Sequence, residues 1–390
     1  MSERFDFNRF VDRRNSGSYK WDDYSCDADD MIQLWVADMD FPTAPAVIDA
    51  LRRRVEHGVF GYTYVPDEYY SALSDWFGNR HHYSIRRENV IYTSGVVPAL
   101  SAIIKALTAP GDGVILNTPA YNCFFSSIRN NGCRIIESPL VRVEIEDGGF
   151  TYKFDYDSIE KLAAEPENKL FILCNPHNPT GRVWRRDELE RVADICRRNG
   201  VRVISDEIHC ELTMPGYEYV PYGTVDSQAV ICNSPSKAFN TAGLQIANIV
   251  APDAEIRQLI DRAININEVC DVNPFGVAGL IAAYNHGASW LEALKVYLAG
   301  NYSLLQTFFR ENLPAYPMAR LEATYLAWID ITSSGKNADV IENLLCEKAH
   351  VRVNGGRMYG DNRFIRINFA LPRKRLKEAL ERMAPVLSSL

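Results

Sequence analysis

The sequence of 390 residues contains no apolar run near the roughly 20 residues that a membrane-spanning helix requires. It also lacks a long run of lysine or arginine, and its formal net charge of −8 argues against non-specific nucleic-acid binding. The N-terminus is charged and aromatic, without the apolar core of a signal peptide. We therefore expect a cytoplasmic protein with neither a membrane nor a nucleic acid as partner.

Two further motifs are missing. The nine cysteines are scattered without a C-x-x-C pair, and most lie in apolar contexts such as "FILC" and "VICN". This disfavours a disulfide framework or a zinc site and predicts buried, reduced thiols and no metal. No G-x-G-x-x-G follows a predicted strand, which argues against a nicotinamide dinucleotide enzyme.

The chain is long enough for two domains, with an ordinary hydrophobic content of 47%. Between about residues 88 and 250, short apolar runs alternate with amphipathic helices that end in glycine. This alternation predicts an α/β domain with a mainly parallel sheet covered on both faces. After about residue 288, long helices and the strands "TYLAWIDI" and "RFIRINFA" indicate a smaller α+β domain.

Unusual polar residues follow several of the predicted strands. "TSGVV" opens a helix after "NVIY", a context suited to phosphate, although a plain strand-to-helix turn explains it as well. "CNPHNPTG" presents Asn178 in a rigid turn or as a structural Asx turn. Asp206 ends the apolar strand "VISD", where it is either a buried carboxylate that needs a partner or a helix N-cap.

Lys237 lies in "NSPSKAFNTAG", among hydroxyl and small residues with no nearby carboxylate. Alone, it would be an ordinary lysine reaching solvent. Ligands of such sheets bind beyond the carboxyl ends of the strands, so Lys237 joins the phosphate turn, Asn178 and Asp206 at one edge. A nucleophilic lysine, a buried acid, an amide and a phosphate turn are what pyridoxal 5′-phosphate requires.

At this point the sequence resembles the fold-type I pyridoxal-phosphate enzymes of the class I/II aminotransferase superfamily. The segments "NPHNPTG", "SDE" and "SPSK" follow in that family's order, and the resemblance covers nearly the whole chain. It implies a seven-stranded sheet in the large domain. It also implies that Lys237 bonds the cofactor, Asp206 pairs with the ring nitrogen and Asn178 reaches the ring hydroxyl. Arg366 would grip the substrate carboxylate, a bidentate task unsuited to lysine.

The resemblance implies further contacts to the cofactor. Tyr121 in "TPAYNCF" would stack on the ring, and Tyr62 in "FGYTY" would reach the phosphate in the neighbouring subunit. This implies a homodimer with shared active sites. The remaining phosphate contacts would be the backbone N–H groups of Gly95, Val96 and Val97 and the hydroxyls of Ser234 and Ser236.

Two departures from the common pattern narrow the function. Gln245 stands where many aminotransferases have an arginine that binds phosphate, and His209 stands where many have a tyrosine near the cofactor. Both departures, together with "ADMDFPTAP" and "ATYLAWID", resemble the MalY/PatB-type branch of bacterial cystathionine β-lyases. The expected activity is C–S β-elimination from cystathionine or another S-substituted cysteine, giving a thiol, pyruvate and ammonia.

In this interpretation Lys237 takes the Cα proton, while Arg366 and Asn178 hold the carboxylate of an amino-acid substrate. Tyr121 either stacks or donates a proton to the leaving sulfur. An aminotransferase would need the same groups and is the alternative; a non-catalytic regulator that binds the cofactor is a remote one. The expected domains are an N-terminal segment, 1–47, that joins the small domain, a large domain, 48–288, and a C-terminal small domain, 289–390.

Overall fold

The computed structural model describes residues 5–23, 30–146, 148–268 and 272–390. Its strands are β1 (Ile32–Gln33), β2 (Val90–Thr93), β3 (Gly113–Thr118), β4 (Arg134–Pro139), β5 (Val141–Glu144), β6 (Phe150–Lys153), β7 (Asn168–Cys174), β8 (Arg202–Asp206), β9 (Val230–Asn233), β10 (Ala247–Val250), β11 (Leu326–Asp330), β12 (Val351–Arg352), β13 (Asn354–Gly355) and β14 (Phe364–Asn368). Its α-helices are α1 (Pro45–His57), α2 (Asp67–His81), α3 (Val96–Leu107), α4 (Asn122–Asn130), α5 (Tyr156–Ala163), α6 (Arg186–Arg198), α7 (Ala254–Asn265), α8 (Pro274–His286), α9 (Ala288–Asn312), α10 (Ala338–Leu344) and α11 (Arg373–Ser388).

The largest sheet has seven strands in the order β2–β10–β9–β8–β7–β3–β4. Only β10 runs against its neighbours; the other pairs in this sheet are parallel. The predicted α/β fold with a mainly parallel seven-stranded sheet is therefore confirmed. The sequence patterns did not single out β4, which is a partly exposed edge strand, or the short strand β10.

Helices cover the sheet on both faces, which explains its continuous apolar strands. In β3, Val114 and Leu116 pack into the core under α3 and α4, whereas Ile115 faces the opposite core with residues of α6. All three side chains are fully buried. Each such burial is worth about 1.5–3 kcal/mol. A polar side chain inside the sheet needs a hydrogen-bond partner, as for Asn248 in β10, which bonds Tyr69 and Asn233.

The C-terminal part contains the three-stranded antiparallel sheet β11–β14–β13 and the helices α9 and α11. The N-terminal segment lies against it, because β1 pairs in parallel with β12 and the Asn368 amide donates to the Leu34 carbonyl at 2.8 Å. On this pairing we propose that residues 1–47 belong with the small domain. The boundaries at 47/48 and 288/289 stay predictions.

The cysteines follow the expectation in part. Cys123, Cys133, Cys174, Cys196, Cys210 and Cys232 are free. Cys346 is disulfide-bonded, which the scattered spacing did not predict because spacing carries no information on pairing between distant segments. Within the described residues, no helix is long and apolar enough to cross a membrane. No group of three or more metal-ligating side chains occurs in that same part of the chain.

Candidate active site

A cavity of about 200 Å³ opens beyond the carboxyl ends of the parallel strands. Residues at the ends of several strands of this sheet meet there. Its walls include the turn after β2, Tyr121 after β3, Asp206 at the end of β8, and Lys237 after β9. The parallel arrangement thus brings together side chains that are more than a hundred residues apart in sequence.

Lys237 reaches into this cavity with its ammonium group. Its Nζ donates to the carbonyl oxygen of Ala37 at 2.6 Å. Burial, reinforced by the nearby charge of Arg366, lowers the pKa of Lys237 to about 8. Asp38 and Asp206 oppose this shift. A substantial fraction of the amine is consequently neutral near physiological pH, and a neutral amine is the form that attacks a carbonyl.

Asp206 is the last residue of β8 and is buried. Its Oδ1 accepts a hydrogen bond from the Ile208 amide at 3.1 Å, which forms an Asx turn rather than the cap of an α-helix. Burial raises the pKa of Asp206 to about 7, against the smaller opposing effects of that hydrogen bond and of Lys237. No ion pair to Asp206 occurs among the described residues. This carboxylate is therefore available to a cationic ligand group.

His209 lies on the same wall of the cavity and is buried. Its Nδ1 has no hydrogen-bond partner within the described part of the chain. Burial, with the nearby positive charges of Lys237 and Arg366, lowers the pKa of His209 well below its usual value. A neutral imidazole with an unused ring nitrogen can accept or donate one hydrogen bond to a bound molecule.

Asn178 lines the cavity, and Arg366 contacts Asn178 without being part of the cavity wall. Arg366 is buried, and its Nη1 donates to Asn178 Oδ1 at 3.2 Å while Nη2 donates to the Trp35 carbonyl at 2.9 Å. The guanidinium lies 4.8 Å from the centre of the Tyr359 ring. Arg366 has no carboxylate partner in the described ranges, in contrast to most buried cations. A substrate carboxylate would supply it.

The first turn of α3 borders the cavity through Gly95, Val96 and Val97, with Ser236 beside them. Gly95 precedes the helix, so the first N–H groups of α3 have no partner within the helix and suit an anion. Ser234 is not part of the wall. Its hydroxyl donates to the Ile246 carbonyl at 2.6 Å and accepts from the Ser236 amide at 3.1 Å, which shapes the turn before Lys237.

The two tyrosines predicted for the site differ in position. Tyr121 lines the cavity at the start of α4, and burial raises its pKa. Tyr62 is outside it, with its side chain 98% exposed on the surface. Among the predicted site residues, Tyr62, Arg366 and Ser234 do not line the cavity, whereas a single subunit brings the others together there.

Sequence reasoning missed several neighbours of Lys237. Ala37 supplies the carbonyl that accepts from Lys237, and Tyr325 donates to the same oxygen at 2.9 Å. Asn240 fixes the segment that carries Ala37 through its contacts with Met39. Backbone carbonyls leave no signal in a sequence. The only hints were the quoted segments "ADMDF" and "ATYLAWID", which had no assigned role.

The family model of aminotransferase class I and II matches residues 29–383. The cystathionine beta-lyase PatB of Bacillus subtilis is 34% identical, with 98% of this chain and 100% of PatB covered. The chain belongs to the class I and II aminotransferase family.

Cystalysin from Treponema denticola, whose structure contains a pyridoxal 5′-phosphate cofactor, superposes with a TM-score of 0.94 and 34% identity over 99% of both chains. The pyridoxal-phosphate-bound C-S lyase from Staphylococcus hominis superposes with a TM-score of 0.90 and 33% identity, covering 98% of this chain and 99% of its own.

Within this class I and II aminotransferase chain, both departures noted in the sequence line the cavity. His209 borders it beside Asp206, and Gln245 borders it beside the first turn of α3. Gln245 adopts a left-handed conformation with φ of 52°. It also borders a second cavity of about 390 Å³ that adjoins the first through Ser94. The departures therefore alter the surroundings of a ligand and not a remote surface.

Proposed function

We propose that this chain is a pyridoxal-phosphate-dependent C–S β-lyase that cleaves cystathionine or another S-substituted cysteine to a thiol, pyruvate and ammonia. The observation that carries the proposal is the meeting of Lys237 and Asp206 in one cavity, in a chain that matches a cystathionine beta-lyase and a pyridoxal-phosphate-bound C-S lyase over nearly its full length. The same residues would serve an aminotransferase. The names of these relatives favour the lyase.

The described residues fit the cofactor. Asp206 lacks a cationic partner that a protonated ring nitrogen would provide, His209 has an unused ring nitrogen, and the first turn of α3 offers N–H groups to a phosphate. When bound, pyridoxal phosphate stabilises the negative charge that develops at Cα once a proton has left. Lys237 is the residue that would bond the cofactor aldehyde.

The substrate would be held by Arg366 and Asn178. The planar guanidinium can bind an α-carboxylate in a bidentate manner, and the Asn178 amide that already contacts it fixes its orientation. With the carboxylate held there, the Cα–H bond can be directed at Lys237. The amine of Lys237, whose pKa is lowered to about 8, is suited to remove that proton as a general base. Tyr121 would stack on the ring or donate a proton to the departing sulfur.

We further propose that the active unit is a homodimer in which Tyr62 of one subunit completes the site of the other. Tyr62 lies in a segment of exposed apolar and aromatic side chains, which are 56–98% exposed and comprise Val59, Phe60, Tyr62 and Tyr64. Such a cluster on a monomer surface marks an interaction site.

A hybrid experiment tests whether the two subunits share their active sites, by mixing Lys237→Ala chains with Tyr62→Ala chains. Random reassociation should restore about one quarter of wild-type activity, because half of the dimers carry one intact site of two. No recovery on mixing would contradict shared sites.

We also propose that the enzyme is located in the cytoplasm. The six free cysteines of the described part support the cytoplasm. The disulfide at Cys346 argues the other way. Reaction of the freshly isolated protein with a thiol reagent, before and after reduction, would decide the state of that bond.

The experiment that tests the reaction uses the purified protein loaded with cofactor and L-cystathionine without a keto acid. Pyruvate and free thiol are followed together. Equal and repeated production of both establishes the lyase. Conversion of the cofactor to its amine form, with turnover only after a keto acid is added, would make the chain an aminotransferase and overturn the proposal.

A further inference from the structure

The carbonyl oxygen of Ala37 accepts two hydrogen bonds inside the candidate active site. Lys237 Nζ donates to it at 2.6 Å, and the hydroxyl of Tyr325 donates at 2.9 Å. Tyr325 is 1% exposed and lies just before β11, far along the chain from both other residues. A carbonyl oxygen has two lone pairs, so these two donors fill it. Lys237 and Tyr325 are consequently coupled through one atom.

The position of this carbonyl is fixed from both sides. Asn240, three residues after Lys237, accepts from the Met39 amide at 2.9 Å and donates to the carbonyls of Met39 and Phe41, also at 2.9 Å. Asn368 at the end of β14 donates to the carbonyls of Val36 and Asp38 at 2.5 and 2.6 Å. Five hydrogen bonds therefore hold the backbone between Val36 and Phe41, which includes Ala37.

An ion-pair cluster anchors the same segment. Asp38 lies 2.7 Å from Arg13 and 3.5 Å from Lys20, and Asp40 lies 2.8 and 3.1 Å from the same two cations. Lys20 is 1% exposed. Removing either partner from a buried cluster of this kind is costly, so the segment has little freedom to follow a moving lysine. The Ala37 oxygen is a fixed point against which Lys237 is placed.

We propose that Tyr325 is a positioning residue that acts on Lys237 through the shared Ala37 carbonyl, holding the lysine in place and favouring its neutral form. This rests on the proposed function of Lys237 as the cofactor-bonding residue and general base. Tyr325, which supplies the second hydrogen bond to the Ala37 carbonyl, is not one of the site residues predicted from the sequence.

The direction of the effect follows from electrostatics. A hydroxyl that donates to the carbonyl reduces the negative charge that the oxygen offers to an ammonium group, and its hydrogen brings partial positive charge close to Nζ. Both effects disfavour protonated lysine. Loss of the hydroxyl should therefore raise the pKa of Lys237. The charged and titratable groups that act on Lys237 are common to wild type and variant, and comprise Arg366, Asp38, Asp206, Cys123 and His209.

The test compares Tyr325→Phe with a matched control, Tyr316→Phe. Tyr316 is also buried and donates its hydroxyl to a backbone carbonyl at 2.9 Å, that of Leu387, at a distance from the cavity. The pKa of Lys237 is measured in the cofactor-free full-length protein from the pH dependence of its labelling by trinitrobenzenesulfonate, read by peptide mass spectrometry. Lys237 is partly exposed to the cavity, so the reagent can be used without unfolding.

In Tyr325→Phe the pKa should rise by about 0.5, and labelling of Lys237 at pH 7 should slow by about 3-fold. Capture of added pyridoxal phosphate at pH 7 should slow by a similar factor. Tyr316→Phe should leave both quantities at their wild-type values. A Tyr325→Phe protein with the wild-type lysine pKa, or an equal change in both variants, would overturn the proposal.

A second substitution covers the case in which Tyr325→Phe does not fold. Site-specific replacement of Tyr325 by 3-fluorotyrosine keeps the hydroxyl and makes it a stronger donor, so the pKa of Lys237 should fall. An unchanged or raised pKa would contradict the inference. Because labelling is measured without substrate, this result is independent of the cystathionine assay. A protein that fails that assay but shows the shift refutes the lyase and keeps the role of Tyr325.

Discussion

Two neighbouring carboxylates at the end of β8 face opposite sides of the strand and differ in their surroundings. Asp206 and Glu207 are both buried, and burial raises the pKa of each to about 7. Asp206 accepts one hydrogen bond, from a backbone amide two residues on. Glu207 accepts from four donors, which are the Tyr219 hydroxyl, the Ser205 hydroxyl at 2.9 Å, the Tyr222 amide at 2.8 Å and the Asn175 side chain at 3.3 Å.

The difference separates a structural acid from an acid that awaits a ligand. A buried polar group is costly unless it is hydrogen-bonded, and Glu207 meets that requirement within the protein. Asp206 does not, and it lies on the wall of the cavity that also holds Lys237. Both are buried carboxylic acids, so the number of hydrogen-bond donors and the presence of a cavity carry the functional information.

The largest expected effect is the loss of activity in Asp206→Asn. An amide has the same shape but no charge to keep a ring nitrogen protonated, so kcat should fall by about 10³-fold, equivalent to about 4 kcal/mol. Steady-state release of pyruvate from cystathionine measures it.

Glu207→Gln is the matched control for Asp206→Asn. It should keep kcat within a few-fold but lower the free energy of unfolding by about 2 kcal/mol, because an amide cannot accept from all four donors. If Glu207→Gln lost activity as strongly as Asp206→Asn while remaining folded, the distinction between the two acids would be wrong.

The next effect concerns two buried arginines, of which one has carboxylate partners within the protein and the other has none in the described part of the chain. Arg182 is paired with Glu188 at 2.7 Å and Glu322 at 2.5 Å, whereas Arg366 has no carboxylate partner among the described residues. Arg366→Lys should lower kcat/KM by about 10²-fold, mainly through KM, because lysine keeps the charge but loses bidentate binding. Substrate saturation curves measure the change.

Arg182→Lys should instead reduce thermal stability and leave KM near its wild-type value, since its two carboxylates lie within the protein. An unchanged KM in Arg366→Lys would remove Arg366 from the substrate site. It would also remove the argument that an unpaired buried cation marks a ligand.

The sequence predicted the sheet and most of the cavity wall because both depend on local patterns. Apolar runs between helices predict a parallel sheet, and residues such as Asn178 and Asp206 follow those runs directly. The resemblance to a known family then supplied Arg366, which lies in another part of the chain.

What the sequence could not predict depends on contacts between distant segments. The contact of the Ala37 carbonyl does not depend on a side chain and so leaves no pattern in the sequence. Tyr325 is an aromatic residue in a predicted strand, which by itself indicates only packing. Asp206 and Glu207 are consecutive acidic residues, and their roles differ because they lie on different faces of the strand. The Ser234 hydroxyl was predicted to bind phosphate, but in the structure it donates a hydrogen bond to the Ile246 carbonyl.

A smaller effect is expected on the stability of the cofactor-free protein. The folded-state pKa of Asp206, about 7, lies above its ordinary value of 3.8, so the folded state holds this proton more tightly. Its contribution is fully present below pH 3.8 and is lost as the pH rises through 7. Asp206→Asn removes this loss, so its stability advantage over wild type should be about 2.6 kcal/mol larger at pH 8 than at pH 5.

Chemical denaturation at the two pH values measures this difference. Glu207 titrates in the same range in both proteins, so its effect cancels in the comparison. A stability difference that does not grow between pH 5 and pH 8 would show that Asp206 already has a partner in the absence of cofactor.

The smallest expected effect is at Gln245, which borders the cavity without bringing a charge to it. The adjoining cavity of about 390 Å³ leaves room for a longer side chain, so Gln245→Arg should fold. An added guanidinium near the first turn of α3 should slow the dissociation of pyridoxal phosphate by about 5-fold, in line with about 1 kcal/mol for a partly exposed charge pair. Gln245→Met, similar in length and uncharged, is the control and should not slow it. Release is followed by dilution into a scavenger of the free aldehyde, at low and high salt, because a true charge contact weakens as salt increases. Equal release from the two variants would place the phosphate away from residue 245, and with it the assignment of the α3 turn as the phosphate site would fail.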